Sequence, residues 1–319
     1  MRLKGSYHAY AAVTVLLWSL TYLFTRYAAQ YFTPYGLAFL RYGTASLALI
    51  PFVLHKRLSP PKPKHYPLFA ASGAAGFSLC ILVFNVGMHT VPSSTGSLVI
   101  ATVPAITAFL ARFFYKEKLR AVQWAAIGVE LCGIAVMLFM QGFTANSGIA
   151  WLLLSALLQS VYNILQRRLS ALYSPLQAAV YSIFAGTLML LAFAPEGVRQ
   201  LTAAPPAQYA YILMLGVLCS AVAYVTWTVA LAKADKASDV CNYMFLTPFL
   251  ASLWGAACAG EVPESATLLG GGVILLGALC FNLGRRAKEP HLDGGSAPVF
   301  RLPPLHRHRK HPGPALKAS

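Results

Sequence analysis

The strongest constraint on this chain is a succession of apolar stretches, each about as long as an α-helix must be to cross a lipid bilayer. A helix rises about 1.5 Å per residue, so roughly 20 mostly apolar residues span a hydrocarbon core about 30 Å thick. Ten such windows can be drawn: 8–30, 34–54, 66–88, 93–115, 121–140, 147–170, 175–194, 207–231, 238–259 and 266–284. Composition agrees, since 57% of the residues are hydrophobic and 11% charged, against about 25% charged in a soluble domain. Arg2 and Lys4 precede the first window as they would in a secretory signal, but that window is too long for one and further spans follow. The runs lack the strict alternation of a membrane β-strand, so helices are expected.

A net charge of +16 could suggest a nucleic-acid partner, but the basic residues sit between the apolar windows, which points to anionic lipid instead. Of the 25 Lys and Arg residues, only Arg26, Arg41 and Arg199 lie away from one set of alternating loops and the two termini. That set includes Arg2, Lys4, Lys56, Arg57, Lys62, Lys64, Arg112, Lys116, Lys118, Arg120, Arg167, Arg168, Lys233, Lys236 and the tail from Arg285. By the positive-inside rule both termini are cytoplasmic, in a plasma or inner membrane. The six cysteines are scattered through the apolar runs without CxxC spacing, so no disulfide or zinc framework is expected.

The chain also repeats itself. A shift of 144 residues brings Ser94 onto Ser238, Pro104 onto Pro248, Glu117 onto Glu261, Gly128 onto Gly272 and Gly133 onto Gly277. A shift of 141 brings Ser19 onto Ser160, Arg26 onto Arg167 and Pro34 onto Pro175. Two five-helix halves are expected, residues 1–140 and 147–286, followed by a disordered basic tail over 287–319. Five is odd, so the halves enter the membrane in opposite senses, an inverted repeat whose solute site lies near the midplane. The expected fold is an all-α integral membrane protein with ten transmembrane helices, and the expected function is movement of a small solute.

The segments WSLTYLFTRYAAQYFTPYGLAFLRY, STGSLVIATVPAITAFLARFFYKE and SDVCNYMFLTPFLASLWGAACAGE resemble the drug/metabolite transporter superfamily, in particular its ten-helix EamA-type exporters. The resemblance covers roughly residues 8–286. It implies a central cavity lined mainly by helices 1, 3, 4, 6, 8 and 9, and export of amino acids or other small metabolites. Ser19 and Lys116 stand where that family usually has Gly, and Glu130 is not part of its common pattern.

On those helices the polar and aromatic residues at mid-depth form the candidate solute surface: Trp18, Tyr22, Asn85, Ser97, Gln159, Tyr162, Asn163, Tyr224, Trp227, Asn242 and Tyr243. Indole and phenol offer an apolar face with a polar edge, and an amide donates and accepts without a fixed charge. The same residue types also build interfacial belts and cement helices together. Pro104 and Pro248 are expected to kink helices 4 and 9 near their middles, toward a cavity or simply for packing. Glu117 and Glu261 end those helices and are read as fastenings of the next hairpin. Arg41 is expected either to reach the outer face or to pair with a carbonyl. Glu130, midway along helix 5, serves as a structural hydrogen-bonding group or couples transport to protons.

No phosphate loop, HExxH pair or GxSxG elbow is present, so neither a cofactor nor ATP hydrolysis is expected. His306, His308 and His311 lie in a tail without a scaffold, and no metal is assigned to them. A passive channel would share the apolar helices without needing inverted halves. A membrane enzyme acting on lipid-linked substrates would need a polar cluster, and only Asp235 and Asp239 beside Lys233 and Lys236 come near one. The sequence leaves the oligomeric state open. Tags at the N-terminus and after Arg286 should both report cytoplasm, while a single cysteine near Asn146 should react with an impermeant reagent from outside. An external terminus would overturn the span count and the inverted repeat together.

Overall fold

The computed structural model describes residues 7–114, 121–141, 147–233 and 242–286, without the side chains of Pro104, Arg167, Asn242 and some others. Every regular element among the described residues is helical, and no strand is present among them. The rods are α1 (Tyr7–Ala28), α2 (Pro34–Lys56), α3 (Pro63–Met88), α4 (Ser93–Phe114), α5 (Ala121–Gln141), α6 (Ser147–Ser170), α7 (Pro175–Leu190), α8 (Pro206–Ala230), α9 (Leu246–Ala259) and α10 (Ser265–Arg286). A 3₁₀ turn and a short helix, Ala194–Ala203, join α7 to α8. Seven helical stretches are long and apolar enough to cross a membrane, and shorter apolar stretches occupy α5, α9 and α10.

Local chemistry sets several boundaries. Thr33 accepts the Gly36 N–H before Pro34 at the start of α2, and Ser174 accepts the Gln177 N–H before Pro175 at the start of α7. Each cap satisfies an orphan donor, while the proline fills a position whose N–H would have no helical partner.

Pro104 and Pro248 differ from expectation, because they open helices instead of bending them. A turn at Ala101–Thr102 interrupts α4, and the second part begins at Val103. The α9 helix proper begins at Leu246, after a 3₁₀ turn over Asn242–Phe245. In a first turn the missing proline N–H costs no intrahelical bond, so a break is easier to sustain than a mid-helix kink. Both α3 and α8 carry π-helical turns, at Ala74–Ser78 and Met214–Val222. Arg199, read as a loop charge, lies on the short connecting helix.

The packing pairs exchange under the repeat. α1 packs on α8 and α9, while its counterpart α6 packs on α3 and α4. α2 packs on α8, and α7 on α3. α2·α7, α4·α9 and α5·α10 are each a helix against its own counterpart. The exchange holds at single residues. A Cβ on Gly216 would meet the Arg41 carbonyl at 2.8 Å, and one on Gly73 would meet the Ser182 carbonyl at 2.9 Å. Between α5 and α10, Gly133 faces the Gly270 carbonyl and Ile274, while Gly277 faces the Ala126 carbonyl and Glu130. These reciprocal contacts are those of an antiparallel helix pair, with small residues letting the backbones approach.

This contact generates a paired prediction. A Cβ at position 133 would lie 2.7 Å from the Gly270 carbonyl, and one at 277 would lie 2.9 Å from that of Ala126, whereas Gly128 and Gly272 face nothing within 4 Å. Gly133→Ala and Gly277→Ala should each destabilise the protein by about 1–3 kcal/mol through overpacking. Gly128→Ala and Gly272→Ala should be neutral or stabilise by up to about 1 kcal/mol through helix propensity. Thermal unfolding in one detergent checks the ordering.

Candidate functional site

Where α1, α2, α3, α6 and α8 converge, aromatic rings form a connected layer. Trp18 meets Trp227 at 5.0 Å between ring centroids and Tyr224 edge-on at 5.7 Å. Tyr224 stands 5.2 Å from Phe77, which meets Tyr162 at 5.0 Å and Tyr42 at 5.4 Å, all edge-to-face. Tyr22 packs edge-on against Phe84 at 5.8 Å. Phe77 is fully buried and Tyr22, Tyr42, Phe84 and Tyr162 nearly so, while Trp18, Tyr224 and Trp227 are half-buried. Edge-to-face pairing of this kind fixes ring positions beyond what burial alone would do.

The polar candidates surround this layer unevenly. Asn85 is fully buried; its Nδ2 donates to the Pro34 carbonyl at 3.0 Å, and its Oδ1 has no hydrogen-bond partner. Ser97 donates to the Ser94 carbonyl of its own helix. Gln159 accepts from the Cys80 thiol, and Asn163 donates to Thr107 on α4 at 3.1 Å. Tyr243 packs with Trp227 around Ala11 and Ala230 at the edge of the aromatic layer, with its hydroxyl against His8 Nδ1 at 2.5 Å. His8 and Trp18 are ten residues apart on α1, about 15 Å along the axis, so Tyr243 belongs to one end of the bundle and not to mid-depth. The Asn242 side chain and Glu117 lie outside the described residues.

Glu261 sits at the other end of α1. It pairs with Arg26 at 3.4 Å and accepts the Ser93 N–H at 2.9 Å, placing a carboxylate at the N-terminus of α4. The Tyr27 hydroxyl donates to the Cys258 carbonyl beside it. Together these ties hold the ends of α1, α4 and α9.

Glu130 is buried on α5 against Gly277 and borders a cavity of about 210 Å³ with Thr102, Phe109, Ile134 and Leu153. Arg41 neither snorkels nor binds a carbonyl. It is buried, donates from Nε to Ser220 Oγ at 2.9 Å, and lies 5.4 Å from the Tyr42 ring centre. A snorkelling side chain keeps its charged head in water, whereas this one is 5% exposed and turned to Ser220 on α8.

Sequence reasoning overlooked Tyr42, Phe77, Phe84, Ser220 and Trp254, whose Nε1 donates to Ser19 at 3.0 Å. Phe and Ser are ordinary residues of a membrane span, so only their meeting in space marks them. Tyr42 had a signal in its neighbour Arg41, and Trp254 in its mid-helix indole.

Among the described residues, apolar helical rods around an aromatic centre are the architecture of a multi-pass membrane protein. A family model described as the EamA-like transporter family matches it twice, over residues 5–139 and 146–283. The chain belongs to that family. It is 32% identical over 278 residues to a probable terminal-alkyne amino-acid exporter of Streptantibioticus cattleyicolor, covering 86% of this chain and 93% of the relative. An uncharacterized transporter of Bacillus subtilis is 31% identical, with 83% of this chain and 87% of that protein covered. An uncharacterized inner membrane transporter of Escherichia coli is 25% identical, with 85% and 88% covered. One solved crystal structure, 19% identical, shares the fold with a TM-score of 0.59, covering 88% of this chain and 98% of that one.

The double role of Glu261 can be separated by substitution. Glu261→Gln should lower stability by about 1–2 kcal/mol, because it weakens both the helix-end contact and the ion pair. Arg26→Gln should cost less than about 1 kcal/mol, since Arg26 is partly exposed. Thermal unfolding of the two variants tests this, and an equal loss would leave the ion pair as the only contribution.

Proposed function

We propose that this protein is a secondary transporter that exports small metabolites, such as amino acids or amphipathic drugs, by alternating access around a midplane site. In this reading the chain crosses the membrane ten times as two inverted five-helix halves, with both termini cytoplasmic. Its basic loops and tail rest on anionic lipid, and it performs no covalent chemistry.

The observation that carries the reading is the exchange of packing pairs between halves, with the aromatic layer lying where they meet. Two equivalent arrangements of symmetry-related halves would open one site to either side in turn. The double match of the family model supports the repeat, and the amino-acid exporter among the relatives supports the solute class. Trp18, Tyr224 and Trp227 form the wall for an apolar solute body, with Tyr22, Asn85, Ser97, Gln159, Tyr162 and Asn163 around it. Pro104 and Pro248, in the first turns of the second part of α4 and of α9, mark where those helices restart near the site.

Reconstitution into vesicles with labelled amino acids tests the class. Saturable uptake with counterflow is expected; linear flux would favour a channel, and covalent turnover an enzyme. Trp227→Ala and Asn163→Ala should each lower transport per folded protein by about tenfold or more, following the loss of about 1.4 kcal/mol in an aromatic or amide contact. Tyr22→Phe should change little, and Leu276→Ala, on an exposed apolar face, should behave as wild type. Normal rates in both Trp227→Ala and Asn163→Ala would remove the site from this layer.

A further inference from the structure

Among the described residues Arg41 is a buried cation without a counter-ion. Its residue exposure is 5%, and Nη1 is buried with no hydrogen-bond partner. Nε is bonded only to a neutral hydroxyl, that of Ser220 on α8. The guanidinium's field reaches Tyr22 on α1, Tyr42 on α2, Cys80 on α3, and Cys219 and Tyr224 on α8. All of these are neutral in their ordinary protonation states, and no carboxylate pairs with Arg41 among the described residues. A buried charge held only by neutral dipoles is costly, and in a membrane bundle such a charge marks a pathway or a ligand.

The surroundings define what would complete it. Tyr42 adjoins both Ser220 and Tyr224, and Tyr224 touches Trp18, which touches Trp227. A continuous chain of side-chain contacts therefore joins the guanidinium to half-buried aromatic faces. A guanidinium recognises planar oxyanions through paired N–H donors, and indole faces accept an apolar body. We infer that Arg41 binds the carboxylate of the transported solute, so that the substrates are small organic carboxylates with an apolar or aromatic body. This rests on the transporter reading above and narrows its solute class. Arg41 then acts as the specificity-determining cation, with Ser220 and Tyr42 orienting its plane.

The test uses the purified full chain in detergent, with thermal unfolding as the readout. The probes are 3-phenylpropionate, L-phenylalanine and L-phenylalaninamide, the last keeping the side chain and amine but losing the anion. In the wild type the two carboxylates should raise Tm in a saturable manner, and the amide should not. Arg41→Gln should unfold without ligand at the wild-type temperature or above it, because an unpaired buried charge has been removed. It should also lose at least about 30-fold in affinity for both carboxylates. Arg41→Lys, which keeps charge without the fork, should bind them more weakly than wild type and more tightly than Arg41→Gln.

Equal stabilisation of the wild type by the amide, or none by either carboxylate, would overturn the assignment. So would an Arg41→Gln protein that is markedly less stable without ligand, or one that fails to fold while Arg41→Lys folds, because both point to a structural cation. Counterflow of labelled L-phenylalanine in vesicles keeps the two readings apart. Carboxylate binding that depends on Arg41 without counterflow would retain the binding site and reject transport of that solute.

Discussion

The architecture depends on one constraint: inside lipid every backbone N–H and C=O must find a partner within the protein. Continuous helix satisfies this automatically, which is why the described residues are helical and why each departure from regularity is internally paired. The break in α4 keeps its bonds through Ala101 to Ser97 and Leu98, Thr102 to Val99, and Ile106 to Thr102. Thr102 adds a side-chain bond to the Val99 carbonyl at 2.7 Å. The prolines fall where no intrahelical donor is missed, so they mark places where a helix can be restarted without leaving an orphan group in hydrocarbon.

Helix association then needs contacts other than hydrophobic exclusion, because lipid is as apolar as leucine. Two devices serve here. Small residues bring backbones together, as at Gly133 and Gly277, Gly73 and Gly186, and Gly216 beside Thr44. Short polar side chains bridge helices, as Ser46 to Thr187 at 2.8 Å, Thr14 to Thr226 at 2.7 Å and Ser72 to Ser182 at 3.0 Å. Neither device needs a large buried charge, which makes Arg41 and Glu130 conspicuous. Glu130 occupies the place in α5 that Ile274 holds in α10, so the two halves share a backbone contact but not its chemistry.

The centre and the ends of the bundle are built differently. The aromatic layer is held by ring edges and by neutral hydrogen bonds. The ends carry directional ties: Glu261 with Arg26 and Ser93 at one, and His8 with Tyr243 at the other. Such polar contacts are made and broken at little net cost when water is available.

The sequence by itself determined the helical class and the multi-pass membrane character, because each depends on local length and polarity. It also singled out Trp18, Tyr22, Tyr162, Tyr224 and Trp227, since bulky amphipathic residues at mid-depth stand out among aliphatic ones. Only the tertiary structure decided how these meet. Phe77 becomes the hub of the aromatic layer through contacts between α2, α3, α6 and α8, which no one-dimensional period encodes. Tyr243 looked equivalent to the others until the 3₁₀ start of α9 carried it to the end of α1. Arg41 could have been a snorkelling residue on its own helix. Its burial and its bond to Ser220 on α8 come from a non-local packing of helices, and among the described residues no carboxylate answers its charge.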